Sequence, residues 1–474
     1  MDDYIVRLEG VTIQNFKNVV KGELSLFNNR KNFKSSILGL YGQNGSGKTA
    51  LIDAIELLQL ALRGMSIPIK FADCINVESE YAEFSYAFSI CGKHEKYKAI
   101  YAFKIMGEKS GVEQNTTIKS GGETQYKTII TDEILSYSYD NNHTKIRMSN
   151  LIDTNSKKVF SPAIKYGCLI GNNKEINMSL MVDKKVALRE SRSFIFSREL
   201  LTAIRNNTPS ASDLDYFRHV NLIESLVGYG NFELFVINTS NSGIISMNML
   251  PISFRYEDGC HNAIGNILVP LEESVPIPES ALLMVENVIK NMNVVLSQII
   301  PGLTISIENL GDMITPDGKK GVKVQLMSLK NKKAIPLKYE SEGIKKIISI
   351  LQLLIVVYNR SSITVAVDEL DAGIFEYLLG EVLRIISEKG KGQLLFTSHN
   401  LRPLETIDRG FIAFTTTNPY NRYMRIVNVK DNNNLRDTYF RNIILGEQSE
   451  DVYELTNNFE IALAFRKAGE CCGS

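Results

Sequence analysis

Apolar and polar residues alternate most clearly near the start of the chain, and this pattern predicts β-structure there. The stretch YIVRLEGVTIQNF at 4–16 alternates like a half-buried strand, and GELSLF at 22–27 continues as a second strand. A short apolar run, SSILGLY at 35–41, is followed by glycines, which is typical of a buried strand entering a loop. Apolar residues then recur at helical spacing from 48 to 64. The pattern predicts a strand, a glycine-rich loop and a helix in succession.

The pattern of apolar and polar residues changes twice in the middle of the chain. Short alternating stretches between 79 and about 165 indicate an antiparallel β section. From about 170 to 300, helical periods are mixed with one strand-like stretch at 231–250. The prolines and acidic residues of VPLEESVPIPES predict a boundary near 270–280.

The C-terminal third predicts a parallel sheet. Two apolar runs, ITVAVDEL at 363–370 and GQLLFTSHN at 392–400, alternate with helical stretches at 342–359 and 375–390. Buried strands that alternate with helices are typical of doubly wound α/β proteins. We therefore predict an α/β fold whose parallel sheet also contains the strand at 35–41.

Composition excludes several classes of protein. The chain of 474 residues is 44% hydrophobic and 22% charged, which is the range of globular proteins. Lys plus Arg and Asp plus Glu each number 53, so the zero net charge gives no argument for DNA binding. The acidic start MDDYIVRLEG lacks the apolar core of a signal peptide, and we find no apolar run of membrane-spanning length. The six cysteines show no C-x-x-C spacing, so we predict a cytoplasmic protein with reduced thiols.

The loop at 42–49 has the G-x-x-x-x-G-K-[ST] spacing of a phosphate-binding loop. Its glycines let backbone N–H groups turn toward phosphates, and the following helix offers its positive dipole end. Lys48 would reach the β- and γ-phosphates, and the Thr49 hydroxyl would bind Mg²⁺. The predicted nucleotide-binding residues of the loop are Gly42, Gln43, Asn44, Gly45, Ser46, Gly47, Lys48 and Thr49.

Two acids and a histidine follow predicted strands farther along the chain. Asp368 and Glu369 end the first C-terminal strand; Asp368 would hold Mg²⁺, and Glu369 would activate the attacking water as general base. His399 follows the next strand, where a neutral imidazole could sense the γ-phosphate. The other four histidines are isolated and are predicted to be structural. The absence of an N-K-x-D motif favours ATP over GTP.

The sequence Ser341-Glu342-Gly343 opens the long helix that precedes the acids. The simplest interpretation is a serine-capped helix. In order and spacing, however, it lies where an ABC-type ATPase carries its signature, which completes the nucleotide site of an opposing protomer. Lys345 and Lys346 either support phosphate binding or form a solvated helix face, and the sequence does not decide between these alternatives.

Together, I-x-N-F-K at 13–17, the phosphate loop, S-E-G, VDELDAGI and TSHN resemble the ABC-type ATPases related to RecF, SMC and OLD proteins. The set resembles more closely the stand-alone AAA-family ATPases of bacterial anti-phage systems, such as those of the PARIS and Septu systems. The resemblance implies an ABC-type α/β head with an antiparallel β subdomain and an α-rich insertion. We predict the head's N-terminal half at 1–170, the insertion at 171–302 and the C-terminal half at 303–474.

The same resemblance implies ATP and Mg²⁺ as ligands, and a homo-oligomer with ATP held between two heads. Ser341 and Gly343 would then come from the second protomer, and Asp371 would lie in a D-loop at the interface. A Q-loop glutamine has no clear match, because Gln125 lies in a polar stretch without a strand before it.

The resemblance further implies an ATPase that senses a phage product and holds, releases or activates a separate effector, such as a TOPRIM or HNH nuclease. One alternative is a RecF-like DNA-repair ATPase, and another is a regulatory module that binds ATP with negligible turnover. Whether DNA is bound stays open.

Overall fold

The structure is a computed structural model. It describes residues 4–27, 36–109, 126–209, 213–238, 245–246, 249–258, 261–314, 318–330, 333–425, 435–445, 449–454 and 456–471.

The strands within these ranges, in chain order, are β1 (Ile5–Phe16), β2 (Val19–Ser25), β3 (Ser36–Tyr41), β4 (Tyr81–Cys91), β5 (Glu95–Lys109), β6 (Tyr126–Asn141), β7 (Lys145–Asp153), β8 (Leu234–Asn238), β9 (Ile245–Ser246), β10 (Met249–Asp258), β11 (His261–Pro270), β12 (Val275–Pro278), β13 (Leu303–Ile314), β14 (Lys320–Lys330), β15 (Lys333–Pro336), β16 (Thr364–Val367), β17 (Gln393–Thr397), β18 (Ile412–Thr415) and β19 (Tyr423–Met424). The α-helices are α1 (Lys48–Leu62), α2 (Ala163–Ile170), α3 (Lys174–Arg189), α4 (Arg198–Asn206), α5 (Leu214–Gly228), α6 (Glu279–Ile299), α7 (Glu342–Asn359), α8 (Glu376–Lys389), α9 (Pro403–Thr406), α10 (Leu435–Leu445) and α11 (Asn458–Cys471).

A seven-stranded sheet forms the centre of the molecule, in the order β19-β18-β3-β17-β16-β8-β9. Its pairings are parallel, except that β19 runs antiparallel to β18. Strand β3 lies between β17 and β18, so the N-terminal strand and the C-terminal strands share one sheet, as the sequence predicts. This confirms the predicted α/β class.

Helix α1 lies between the central sheet and a second, antiparallel sheet of order β2-β1-β4-β5-β6-β7. Its residues are buried nearly all round, which suits a helix with sheets on both sides. Leu38 and Leu40 of β3 share a hydrophobic core with this helix. Their strand neighbours Ile37 and Tyr41 point to the other face, where they join a core with α7 and α8. Both faces of the central sheet are therefore covered.

A smaller sheet packs against α6 and one side of α7. In this sheet β14 is flanked on one side by β13 and on the other by β12 and β15. Pro276 and Pro278, which predicted a boundary, lie in the edge strand β12. An edge strand tolerates proline because a missing N–H there breaks no ladder on its outer side.

The residues at 171–302, which were predicted to form an insertion, pack with both predicted halves of the head. Helices α3 to α5 share the core of α1 and the antiparallel sheet. Strand β8 is fully buried and pairs in parallel with β16 in the central sheet. Helix α6 packs with β13 and β14, across the predicted boundary at 302/303. An apolar run predicts a buried strand or helix, but it does not show which sheet the element joins.

A buried glutamine is one of the side chains that link the two large sheets. Gln393, at the start of β17, is only 2% exposed. Its Oε1 accepts from the Leu8 N–H at 2.8 Å, and its Nε2 donates to the Leu8 carbonyl at 2.8 Å. The Thr364 hydroxyl also donates to Oε1, at 3.0 Å. The side chain thus acts as one rung of a β-ladder where β1 and β17 do not pair directly.

We expect Gln393→Leu to lower the free energy of unfolding by about 3 kcal/mol, because it leaves two buried backbone groups of Leu8 without partners. Chemical denaturation followed by circular dichroism measures this loss. The matched control is Lys391→Gln on the exposed side chain nearby, which should change stability by less than about 0.5 kcal/mol. Equal stabilities of Gln393→Leu and the control would contradict the role of this side chain.

Candidate functional site

The predicted phosphate loop connects β3 to α1, so the strand–loop–helix context is present. Gly42, Gly45 and Gly47 have φ of 156°, 75° and 96°. A Cβ on Gly42 would lie 1.7 Å from Thr415 Oγ1, which excludes any side chain, whereas a Cβ on Gly45 would meet nothing within 4 Å. The Lys48 ammonium donates to the carbonyls of Gly42 at 2.8 Å and Gln43 at 2.9 Å, so it folds back over the loop.

The loop is braced by residues from the far end of the chain. The hydroxyls of Ser46 and Thr415 lie 2.5 Å apart, and the Tyr423 hydroxyl donates to the Gly47 carbonyl at 2.9 Å. Gln43 Oε1 accepts from the Glu454 N–H at 2.9 Å. These contacts fix the loop from the side of β18 and β19, so its position depends on the folded C-terminal region.

Asp368 and Glu369 follow β16 at the carboxyl edge of the central sheet. Asp368 is 2% exposed, and its Oδ1 accepts from the Thr397 hydroxyl at 2.6 Å. Glu369 is exposed, has a left-handed φ of 48°, and donates its N–H to the same Thr397 oxygen at 2.7 Å. Thr397 ends the neighbouring strand β17 and thus holds both acids.

His399 follows β17 by two residues and is exposed. Asp371 orients this segment, because its Oδ2 accepts from the N–H groups of His399 at 3.1 Å and Asn400 at 2.9 Å. Its Oδ1 is buried with no hydrogen-bond partner. Within its own chain, Asp371 therefore supports the loop that carries the histidine.

These elements surround a cleft of about 340 Å³. Its walls come from both ends of the chain: Lys17, Asn18, Asn44, Gly45, Gly47, Lys48, Thr49, Ala50, Asp368, Glu369 and His399. The structure thus brings together the predicted lysine, threonine, acids and histidine. The polar side-chain atoms of three predicted residues, Gln43, Ser46 and Asp371, instead form the hydrogen bonds described above.

Ser341 and Gly343 do not line this cleft in their own chain. Ser341 is exposed and caps α7, accepting from the Ile344 N–H at 3.4 Å. Gly343 packs against the loop after the acids, where an added Cβ would lie only 2.2 Å from the Gly373 carbonyl oxygen. The segment predicted to be a signature therefore lies beside the predicted D-loop.

Among the polar residues near the acids and the cleft, the sequence analysis did not predict Lys17, Asn18 or Thr397 as site residues. Lys17 and Asn18 form the turn between β1 and β2; Lys17 makes an ion pair with Asp53 of α1. The I-x-N-F-K motif pointed to this turn but not to its contact with the cleft. Thr397, in the TSHN motif, carried no sequence signal for its two hydrogen bonds to the acids. Gln125 lies outside the described residues.

Lys345 and Lys346 are both buried, so neither belongs to a solvated helix face. Lys345 makes ion pairs with Glu272 at 2.5 Å and Glu342 at 2.6 Å. Lys346 donates to the Glu369 carbonyl oxygen. Burial lowers the pKa of Lys346 to about 8, against the opposing effect of the nearby carboxylates. Burial also lowers the pKa of Lys48, and Asp368, Glu369 and Asp371 act in the opposite direction.

The environment of His219 is that of a structural histidine. It is 1% exposed, and its Nε2 lies 2.8 Å from the Tyr137 hydroxyl and 3.0 Å from Lys165 Nζ. Burial lowers its pKa to about 4, with Lys165 adding to the shift. The ring is therefore neutral at physiological pH, and from its place on α5 it packs against Tyr137 of the antiparallel sheet. The prediction of a structural role agrees with this environment.

In the part of the chain that the structure describes, no group of three or more His, Cys, Asp or Glu residues could hold a metal by itself. No helix within the same ranges is long and apolar enough to cross a membrane.

Comparison with known proteins gives one family match. The family described as AAA domain matches residues 11–211, which contain the predicted phosphate loop. The match indicates an AAA domain in this part of the chain, which is less than half of its length. No curated protein matches the chain significantly.

Among solved structures, the chain is similar to heads of SMC proteins at 11% sequence identity. The SMC head bound to the C-terminal winged-helix domain of ScpA gives a TM-score of 0.36, covering 88% of this chain and 97% of that one. The Pyrococcus furiosus Smc head with an extended coiled coil, bound to the C-terminal domain of ScpA, gives 0.38, covering 89% and 96%. The SMC head domain from Thermotoga maritima gives 0.33, covering 89% and 99%.

Proposed function

We propose that this chain binds ATP with Mg²⁺ and hydrolyses it. The observation that carries the proposal is the cleft, in which Lys48 and Thr49 from the N-terminal region meet Asp368, Glu369 and His399 from the C-terminal region. These are the residue types that phosphoryl transfer to water requires. They come from strand ends of one parallel sheet, which is where ligands bind in open α/β folds.

The residues around the cleft suit a triphosphate. The N–H groups of the loop and the positive end of α1 attract anions. Lys48 adds a positive charge that can leave the carbonyls of Gly42 and Gln43 for a phosphate. The Thr49 hydroxyl and the Asp368 carboxylate are hard oxygen donors of the kind that Mg²⁺ prefers, with phosphates supplying further oxygens. A bound Mg²⁺ would neutralise charge that develops on the phosphates.

Glu369 is positioned to act on water. Its side chain is exposed to the cleft at the edge of the sheet, and its backbone is fixed by Thr397. A carboxylate there would accept a proton from the attacking water. His399, on the neighbouring loop, would donate a hydrogen bond to the terminal phosphate.

Lys48→Ala should abolish stable ATP binding, because it removes the only positively charged side chain of the loop, which would contact the phosphates. Glu369→Gln should still bind ATP while hydrolysis falls by about 100-fold or more, because a general base is lost. Phosphate release and equilibrium binding of a fluorescent ATP analogue measure the two effects. Wild-type turnover equal to that of Glu369→Gln would contradict hydrolysis at this site and favour a module that only binds ATP.

We further propose that the site is completed by a second copy of the chain. Ser341 and Gly343 lie outside the cleft of their own chain, at an exposed helix N-terminus. A helix N-terminus with a serine hydroxyl can bind phosphate. The resemblance to ABC-type ATPases supports a head-to-head arrangement, in which this end faces the nucleotide held by the other copy.

Mixing two inactive variants tests this arrangement. Lys48→Ala removes the loop's lysine and so inactivates the site in its own copy. Ser341→Arg blocks the proposed contact of this helix end with the nucleotide held by the other copy. In a mixed dimer one of the two sites has a normal loop and a normal Ser341. An equal mixture should regain about a quarter of wild-type hydrolysis, since half of randomly formed dimers are mixed. No recovery after mixing, with exchange of subunits shown by labelled chains, would indicate that Ser341 acts within its own chain.

At a finer level, we propose that this ATPase is the sensor or scaffold subunit of an anti-phage defence complex with a separate effector, such as a nuclease. The support is the resemblance of the whole motif set, from I-x-N-F-K to TSHN, to stand-alone defence ATPases.

Cells that express the chain with its neighbouring genes should then plate phage at least about tenfold less efficiently, and Lys48→Ala should remove the protection. Pull-down from these cells should recover one of the co-expressed proteins. Protection that is unchanged by Lys48→Ala would contradict the proposal. Sensitivity to DNA damage on deletion, without any effect on phage, would favour a repair function.

A further inference from the structure

Glu369 adopts a backbone conformation that a glutamate does not favour. Its φ of 48° lies in the left-handed region, where residues with a Cβ are uncommon and strained. Such a conformation persists only where surrounding contacts hold it. In this chain both peptide groups of Glu369 are held by side chains from other elements, namely Thr397 and Lys346.

Thr397 holds the N–H side. Its hydroxyl accepts from the Glu369 N–H at 2.7 Å and donates its single proton to Asp368 Oδ1 at 2.6 Å. Thr397 is 1% exposed, so water does not compete for these bonds. One hydroxyl therefore sets the positions of both acids relative to each other.

Lys346 holds the carbonyl side. Its ammonium donates to the Glu369 carbonyl oxygen, and the residue is 5% exposed. The lysine belongs to α7, the helix that begins directly after Ser341. Its neighbour Lys345 has different contacts, because it pairs with Glu272 and Glu342.

We propose that Lys346 and Thr397 are positioning residues that hold Glu369 in its left-handed conformation and so aim its carboxylate at the attacking water. This rests on the proposed function of Glu369 as general base.

The test compares conservative and disruptive variants. Thr397→Val keeps the shape but loses both hydrogen bonds, and Thr397→Ser keeps the hydroxyl. Lys346→Met keeps the length but loses the donor, and Lys345→Met is the matched control. We expect kcat to fall about tenfold or more in Thr397→Val and Lys346→Met, since misplacing a reacting group is costly. In Lys346→Met, KM for ATP and equilibrium ATP binding should change less than about twofold, whereas Thr397→Val also releases Asp368 and is not expected to leave them unchanged. Thr397→Ser and Lys345→Met should retain kcat.

A double-mutant cycle separates positioning from general damage. In a Glu369→Gln background, Lys346→Met should cause no further loss of kcat, because there is no base left to position. Thr397→Val should lower kcat less than it does in the wild type, because only its bond to Asp368 is then lost. Full additive losses in that background, or kcat unchanged by both variants, would overturn the inference while leaving Glu369 as the base. Failure of Glu369→Gln itself to slow hydrolysis would instead contradict the proposed function. If one variant lowers the melting temperature so far that it does not bind ATP, the other variant decides the outcome.

Discussion

The parallel pairing of β3 with β17 and β18 is the contact on which the rest of the site depends. Residues 36–40 of β3 pair with 393–397, and 39–41 pair with 412–414. These pairings join segments more than 350 positions apart in the chain. Because parallel strands end at the same edge, the loop after β3 and the loop after β17 must emerge side by side. The cleft follows from this register.

Helix α1 fixes the position of the loop that follows β3. It begins within the predicted phosphate loop and is buried between two sheets, so the loop's helical end cannot shift without disturbing the core that these sheets share. Its buried acids are paired: Asp53 with Lys17, and Glu56 with Lys70 and Asn238. Through Lys17, the turn between β1 and β2 becomes a wall of the cleft. The antiparallel sheet therefore contributes to the site as well as to stability.

The sequence predicts those parts of the site that depend on local order along the chain. A strand, glycines and a helix at 36–62 mark the loop, and Asp368 and His399 each follow a short apolar run. Thr397 could not be assigned in the same way, because its role depends on the register between neighbouring strands: Val367 pairs with Phe396, which places Thr397 beside Asp368. Likewise β8 lies within the stretch at 231–250 that the sequence marks as strand-like, but its place beside β16 depends on long-range packing.

The prolines of the small sheet have a consequence for the molecule in a crowded solution. Its edge beside β14 is formed by β12 and β15, which carry Pro276, Pro278 and Pro336. Each proline lacks the N–H group that a passing strand from another molecule would need for a continuous ladder. Open sheet edges are sites where proteins pair wrongly and aggregate, and proline is one residue that prevents this. These prolines therefore protect this edge against fibre-like growth of the folded protein.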